Sequence, residues 1–327
     1  MKKRKAEYWK VESGNTLKCN LCPHHCVISP GEEGMCWARK NEDGTLYAAN
    51  YGKTTSLAVD PIEKKPLFHF RPGSSILSVA PNGCNMRCPF CQNYTISARK
   101  TPTQYIGPEE LVELAKHYNS PSIAFTYSEP IIWFEYIMDV ARYAEARGID
   151  LVMVTNGLIS PEPLNDLLQV VGAMNIDLKS MNEEYYRKVL KGDLSTTLRT
   201  IEQASKKIHV EVTNLLIPGD NDEDIEELSK WLSSVDKTIP LHISRYFPYL
   251  GYERPPTPMS MLQEAYKIAK QYLYYVFIGN ASITGAENTY CPECGNLLIE
   301  RTGFSMRIVG IEKESCKSCG RKVDIVL

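Results

Sequence analysis

The cysteines fall into three groups whose spacing could support metal chemistry. The chain has 327 residues and 11 cysteines, with none between residues 92 and 290. The groups are Cys19, Cys22, Cys26 and Cys36, then Cys84, Cys88 and Cys91, then Cys291, Cys294, Cys316 and Cys319. Unrelated structural thiols would scatter, and an odd total fits poorly with a disulfide framework. We therefore expect a reduced, cytoplasmic, metal-binding protein, with a coincidental pattern of structural thiols as the alternative.

The middle group is incomplete as a single-ion site. Its spacing is C-x3-C-x2-C, and no fourth cysteine lies nearby in the sequence. Three thiolates can hold three irons of a [4Fe-4S] cluster and leave the fourth iron open to a non-protein ligand. A zinc ion would usually need a fourth protein ligand unless it is catalytic. The spacing thus favours a cluster, with a zinc loop as the alternative.

The two outer groups are each complete sets of four. The third group consists of two C-x2-C pairs, which predicts a zinc-ribbon-like appendage holding structural zinc, or iron in a rubredoxin-type site. The first group, spaced C-x2-C-x3-C-x9-C, is predicted to bind zinc or a second Fe-S cluster. Its spacing does not decide between them.

Composition narrows the classes of partner that the protein is expected to bind. There are 37 basic and 39 acidic residues, so a general nucleic-acid binder is disfavoured because it needs a positive field to displace counterions. The sequence has no apolar run long enough to span a membrane, and its basic start has no signal-peptide pattern.

Repeated strand–helix patterns must position these groups. Residues 1–70 form a Cys-rich segment, residues 71–280 alternate short apolar runs with helical patterns, and residues 281–327 form the ribbon. About six βα units predict an α/β fold with a parallel sheet, either open or a partial barrel. Ligands then bind where the strands end, and the polar motifs do follow predicted strands.

Several motifs together resemble a known family. They include Cys84-Asn85-Met86-Arg87-Cys88-Pro89-Phe90-Cys91, Tyr127-Ser128-Glu129-Pro130, Asp177-Leu178-Lys179 and Ile217-Pro218-Gly219. This set, opening a run of βα units, resembles the radical SAM (S-adenosyl-L-methionine) superfamily. Within it, the chain looks like the AmmeMemoRadiSam-system proteins, relatives of the pyruvate formate-lyase activating enzyme.

The resemblance implies a partial (β/α)6 radical SAM barrel and an oxidoreductase reaction. S-adenosyl-L-methionine would be cleaved reductively at the [4Fe-4S] cluster, and the resulting 5′-deoxyadenosyl radical would abstract hydrogen from an unknown protein or small molecule. The implied partners are a flavodoxin- or ferredoxin-type electron donor, a protein substrate, and the AmmeMemo-system proteins.

It also implies roles for individual residues. Cys84, Cys88 and Cys91 match the cluster ligands. The other matches bind the cofactor: Phe90 and Pro218 beside adenine, Glu129 at the methionine amino group, Lys179 at the carboxylate, and Thr155 with Asn156 at the ribose or carboxylate. Asp177, which matches the Asp of the family's Asp-Leu-Lys strand end, is also a cofactor-binding candidate. Val154 stands where activating enzymes have an Asp of a cation site, so we do not expect that site to be intact.

The substrate side is less defined. On the last predicted strands, Glu211 and His242 are the candidate catalytic residues, with hydrogen-bonded structural roles as the alternative. Two other functions compete with the enzyme reading: a non-catalytic metal-ribbon binding module, and a radical SAM enzyme that modifies nucleic acid.

Overall fold

An eight-stranded sheet forms the centre of the protein. It is seen in a computed structural model that describes residues 3–249 and 251–327. In chain order its strands are β1 Ser56–Pro61, β2 Ser75–Ala80, β3 Ser122–Phe125, β4 Asp150–Thr155, β5 Ala173–Asp177, β6 His209–Leu216, β7 Leu241–Arg245 and β8 Val276–Gly279. They lie side by side in reverse chain order, from β8 to β1. Strands β2 to β8 run parallel, and β1 pairs antiparallel with β2 at the edge.

Six longer helices connect the parallel strands. They are α1 Pro108–His117, α2 Phe134–Glu145, α3 Pro161–Leu167, α4 Leu194–Ala204, α5 Ile225–Val235 and α6 Met259–Ala269. Helices α1 and α3 begin with a proline, whose missing N–H costs no hydrogen bond in a first turn. Shorter helical turns cover Ile62–Lys64, Tyr94–Ser97, Pro130–Trp133, Glu183–Tyr185 and Tyr186–Leu190.

The predicted α/β fold with a partial parallel barrel is confirmed. Each strand from β2 to β7 contains buried apolar side chains, which join one core with those of the connecting helices. The short apolar run over residues 275–278, predicted as a last strand after the six βα units, forms β8. The antiparallel strand β1 comes from the Cys-rich segment.

Two helical segments change their geometry along their length. The segment before strand β4 begins as the 3-10 turn Pro130–Trp133 and continues as α2. The segment before α4 has one short α turn, Glu183–Tyr185, followed by the π turn Tyr186–Leu190. The hydroxyl of Tyr186, whose ring is fully buried, accepts a hydrogen bond from the Lys179 backbone N–H at 3.0 Å. A uniform helical pattern in sequence does not reveal such a turn.

The N-terminal part consists of short strands packed on the barrel. Strands Trp9–Ser13, Thr16–Cys19 and Val27–Ile28 form one sheet, and Arg39–Glu42 pairs with Thr45–Ala48 in a hairpin. Strand Lys53–Thr54 pairs with Gln104–Tyr105. A buried ion pair fixes the hairpin to α2, with the Arg39 guanidinium 2.7 Å from the Glu135 carboxylate.

The C-terminal part is a small β unit docked at the start of the barrel. Its strands are Thr289–Tyr290, Leu297–Thr302, Ser305–Ile308, Ile311–Glu312 and Ser315–Cys316. The Arg301 guanidinium donates to the Phe68 carbonyl at 2.6 Å and lies 4.4 Å from the centre of the Phe68 ring. The Val326 N–H donates to the His69 carbonyl at 2.8 Å.

Among the described residues, no helix is both long and apolar enough to span a membrane. The domain boundaries at residues 70 and 280 stay predictions.

Candidate active site

A cavity of about 330 Å³ lies where the parallel strands end. Its wall is built by loops that follow β2, β3, β4 and β5 and by residues at the ends of β6 and β7. The predicted site residues that line it are Cys84, Cys88, Cys91, Phe90, Glu129, Thr155, Asn156, Asp177 and Lys179. Parallel strands bring their carboxyl ends to one edge, so residues distant in sequence share this cavity.

Side-chain contacts hold the loop that carries the three central cysteines. The Arg87 guanidinium donates to the Cys84 carbonyl at 2.7 Å and also to the Met86 carbonyl at 2.8 Å. The Cys91 thiol lies 3.2 Å from the Ser97 hydroxyl, in the short helix after the loop. The loop is therefore shaped by its own contacts around the three sulfur atoms.

Burial favours the protonated form of two of the central thiols, those of Cys84 and Cys88. Burial raises the pKa of Cys84 well above its ordinary value, and the nearby Glu129 carboxylate raises it further. Burial also raises the pKa of Cys88 to about 11, although the Lys179 ammonium opposes the change. Iron binding must therefore displace protons and supply the charge that stabilises buried thiolates. The loop offers three thiols and no fourth protein ligand, which suits a cluster whose fourth iron has no protein ligand.

Glu129 lies at the centre of a hydrogen-bond network. Its carboxylate accepts from the Thr155 hydroxyl at 2.6 Å, the Asn156 N–H at 2.9 Å and the Ile131 N–H at 3.0 Å. Burial nevertheless raises the pKa of Glu129 to about 7. Thr155 and Asn156 thus orient the carboxylate, which a ligand ammonium would stabilise in its charged form.

Lys179 and Asp177 form an ion pair at the cavity. The ammonium lies 2.9 Å from the Asp177 carboxylate. Burial alone would lower the pKa of Lys179, but the Asp177 carboxylate raises it above its ordinary value. The side chain therefore stays a cation beside the cysteine loop.

The two predicted adenine neighbours lie in different settings. Phe90 is 5 % exposed, lines the cavity, and its ring centre is 5.7 Å from that of Tyr252. Pro218 follows β6 but is not among the residues lining the cavity. The structure brings Phe90 to the central cysteines, and a role for Pro218 stays a prediction.

The predicted substrate residues Glu211 and His242 contact one another. The Glu211 carboxylate bonds His242 Nε2 at 2.6 Å and His209 Nε2 at 3.0 Å, and it accepts the backbone N–H groups of Phe68 and His69. These contacts hold the pKa of Glu211 well below its ordinary value despite burial. Glu211 therefore fastens the 68–69 backbone to β6, and catalysis by either residue stays a prediction.

Sequence reasoning did not single out a polar cluster on the cavity wall. The Tyr127 hydroxyl donates to the Asp60 carboxylate at 2.5 Å, and the buried Lys65 ammonium lies 2.7 Å from the same carboxylate. Tyr127 has φ +65°, a left-handed conformation that favours glycine. Contacts between residues 60, 65 and 127 have no signal in the sequence, because they depend on how the strands pack.

The C-terminal cysteines converge on one point. Cys291 and Cys319 have their sulfur atoms 3.6 Å apart, and those of Cys294 and Cys316 are 3.7 Å apart. Four sulfurs bound tetrahedrally at about 2.3 Å from one metal ion lie about 3.8 Å apart. The spacing fits a single ion, and zinc and iron have the same geometric demand here.

The N-terminal cysteines are arranged differently. Cys19, Cys22, Cys26 and Cys36 line one small cavity. Within residues 3–249 and 251–327, the C-terminal set is the one group of three or more His, Cys, Asp or Glu side chains whose ligand atoms all lie within 4.8 Å. The sulfur atoms of the N-terminal set are therefore more widely spaced than those of the C-terminal set.

Comparisons with known proteins agree with this architecture. The model of the Radical SAM superfamily matches residues 78–232. An uncharacterised protein of Methanocaldococcus jannaschii is 46% identical over 336 residues, covering 99% of this chain and 100% of that protein. The pyruvate formate-lyase 1-activating enzyme of Escherichia coli K12 is 27% identical over 180 residues, covering 49% of this chain and 71% of the enzyme. A radical SAM methyltransferase from Sphaerobacter thermophilus shares the fold, with a TM-score of 0.52, 16% identity, and coverage of 70% of this chain and 71% of that one.

Proposed function

Because the chain belongs to the radical SAM superfamily and is related to pyruvate formate-lyase activating enzymes, we propose that Cys84, Cys88 and Cys91 hold a [4Fe-4S] cluster for reductive cleavage of S-adenosyl-L-methionine. When bound, that cluster supplies the electron that breaks the sulfonium C–S bond and yields a 5′-deoxyadenosyl radical. The radical then abstracts hydrogen from a protein or small-molecule substrate.

One observation carries this proposal. The three central cysteines share a single cavity with a buried carboxylate, Glu129, and a half-buried cation, Lys179. The methionine part of S-adenosyl-L-methionine has an ammonium and a carboxylate, so the cavity offers a charge partner to each. A plain zinc loop has no need of such a pair beside it.

The chain's own residues bind and orient the cofactor in this proposal. Glu129 accepts the methionine ammonium, while Thr155 and Asn156 hold the Glu129 carboxylate in place. Lys179 pairs with the methionine carboxylate, and Asp177 keeps its ammonium charged. The Phe90 ring packs against adenine. The buried walls keep water away from a reactive radical.

A second cavity supports the substrate side. It measures about 740 Å³, and His242 is one of the residues that line it. Three residues line both cavities: Lys64, Ser244 and Asn280. A substrate in the second cavity would therefore approach the radical through this shared wall. Its size admits a small molecule or a segment of protein, and partnership with AmmeMemo-system proteins remains our proposal.

The relationship to activating enzymes supports a protein as the electron source. We propose a flavodoxin- or ferredoxin-type donor. Structural zinc in the C-terminal set completes the cofactor assignment, supported by its single-ion spacing.

Anaerobic cofactor cleavage tests the proposal. Protein reconstituted with iron and sulfide, reduced with dithionite and mixed with S-adenosyl-L-methionine should release 5′-deoxyadenosine. Cys84→Ala should abolish the product, whereas the matched control Thr95→Ala, an exposed position in the next short helix, should not. Equal product from wild type and Cys84→Ala, or none from iron-loaded wild type, would leave only the metal-ribbon binding module. Tight RNA binding at physiological salt would instead favour a nucleic-acid substrate.

A further inference from the structure

The N-terminal cysteines are spread more widely than one tetrahedral ion requires. Four sulfurs at about 2.3 Å from a zinc ion lie about 3.8 Å apart. Within the described residues, no three sulfurs of the N-terminal set lie all within 4.8 Å of one another, whereas the four C-terminal sulfurs do. The N-terminal cysteines nevertheless line one small cavity, together with apolar Leu21, Ile28 and Ile132. Four cysteines spaced more widely than a single ion needs suit the larger [4Fe-4S] group.

One residue that lines the same cavity, Arg39, has hydrogen-bond donors without partners. Arg39 lines it and is 1 % exposed, with Nη1 donating to Glu135 at 2.7 Å. The Nε and Nη2 atoms of Arg39 have no hydrogen-bond partner among the described residues. Buried donors without partners are costly, so a ligand is expected to accept from them. Anionic sulfur of an Fe-S cluster is a suitable acceptor, and such hydrogen bonds tune its reduction potential.

The N-terminal site directly contacts the central cysteine loop. The Cys36 carbonyl oxygen is packed so closely on Gly83 that a Cβ there would lie 2.2 Å away. Asn85, which follows Cys84, lines the N-terminal cavity, and its side chain accepts a hydrogen bond from Asn156 at 2.8 Å. His24 Nε2 bonds the Asn85 carbonyl at 2.6 Å. A short route through bonds and hydrogen bonds therefore joins the two sets of cysteines.

We propose that Cys19, Cys22, Cys26 and Cys36 bind a second [4Fe-4S] cluster that passes electrons to the cluster at Cys84, Cys88 and Cys91. The binding of this cluster is independent of the proposed function, whereas its relay role rests on it. One electron leaves a low-potential donor protein, which is oxidised by one electron. It passes through the N-terminal cluster, which returns to its starting state, and reduces the central cluster by one electron.

The neighbouring surface suits an acidic donor protein. A groove beside Cys36 contains the next residue, Trp37, and more positive than negative side chains: Lys3, Arg4, Lys40, Lys53 and Lys100 against Glu33 and Glu42. The whole chain has a net charge of −2, so this local excess is a feature of the groove. Opposite charge on the donor would speed its encounter at this place.

Metal content tests the second cluster without relying on activity. Full-length protein reconstituted anaerobically should hold about eight iron and eight sulfide atoms, and Cys84→Ala/Cys88→Ala/Cys91→Ala should keep about four of each. Cys22→Ala/Cys26→Ala should also keep about four. Zinc in place of iron in the central triple variant would overturn the proposal. If the central triple variant kept its iron but wild type formed no 5′-deoxyadenosine, the proposed function would fail and the second cluster would still be supported.

A variant that keeps every cysteine provides a second test, measured by the reduction potentials of the two clusters, if the cysteine variants do not fold. Arg39→Gln/Glu135→Gln removes both charges of the buried pair and the Arg39 donors without partners. Its N-terminal cluster should be reduced at a more negative potential than that of wild type, while the central cluster is unchanged. If the reduction potentials of both clusters stayed as in wild type, the proposed hydrogen bonds from Arg39 to the N-terminal cluster would be contradicted.

Comparing two reductants tests the relay. A reduced ferredoxin- or flavodoxin-type protein should reduce the central cluster of Cys22→Ala/Cys26→Ala at least about tenfold more slowly than that of wild type. Dithionite, a small reductant, should act equally on both. Lys40→Glu/Lys53→Glu, which keeps both clusters, should slow the donor protein alone. Unaltered reduction by the donor protein after loss of the N-terminal cluster would overturn the relay.

Discussion

The carbonyl oxygen of Cys36 occupies the space where a side chain on Gly83 would begin. A Cβ atom on Gly83 would lie 2.2 Å from that oxygen, and the residue has φ +102°. Both the conformation and the close approach require glycine. The N-terminal cysteines and the central cysteine loop are therefore fitted to one another through this contact.

Substituting this glycine should damage the cysteine loop. We expect Gly83→Ala to lower the free energy of unfolding by about 3 kcal/mol, because it adds backbone strain to a steric clash. Gly148→Ala is the matched control: its φ is +63° and nothing lies within 4 Å of the added Cβ, so about 1 kcal/mol is expected. Urea denaturation measures both. Equal losses in the two variants would show that the Cys36 contact adds no cost.

Glu129 should make cofactor binding depend on pH. Its pKa of about 7 in the free protein means that the carboxyl is increasingly protonated below that pH, and a protonated carboxyl does not attract the methionine ammonium. Affinity for S-adenosyl-L-methionine should therefore be about tenfold weaker at pH 6 than at pH 8. Glu129→Gln should bind about tenfold or more weakly at pH 8 and lose this dependence. Equilibrium binding to iron-loaded protein checks this, with iron content as the control.

His69 should make the fold less stable in acid. Burial lowers its pKa from 6.5 to about 3, while its ring bonds the Asp324 carbonyl and the Thr289 hydroxyl. The unfolded chain takes up a proton near pH 6.5 that the folded chain refuses, so stability is lost as pH falls below 6.5. Between pH 7.5 and pH 5 this contributes roughly 2 kcal/mol. His69→Gln should show a smaller pH dependence in urea denaturation, and an unchanged dependence would count against this assignment.

The C-terminal ion should hold the docked β unit together. Cys319→Ser should lose about one zinc per chain and accelerate proteolysis within residues 289–323, since so small a unit depends on its metal for folding. The barrel should keep its central cluster. Ser318→Ala, the exposed neighbour on the same turn, serves as the control. Full resistance to protease after metal loss would mean that contacts such as Arg301 with Phe68 suffice.

The sequence predicted what local patterns encode. Strands such as Asp150–Thr155 are apolar runs bounded by turn residues, and the parallel order then brings Cys84 and Glu129 to one edge. Contacts between residues far apart were not predictable. The Arg39–Glu135 pair spans 96 positions and the Arg301–Phe68 bond spans 233. Such pairs depend on how elements pack, and no periodicity in either segment announces them.

The contact between the 69–71 backbone and Val326 bears on how the protein is made. His69 and its partner Asp324 are separated by 255 positions, so the ribosome synthesises the whole barrel before the second half of this contact exists. During translation the 68–71 loop has its Glu211 bonds but lacks the backbone partner that completes it. The start of the barrel is therefore completed only after the residues of the C-terminal β unit have emerged.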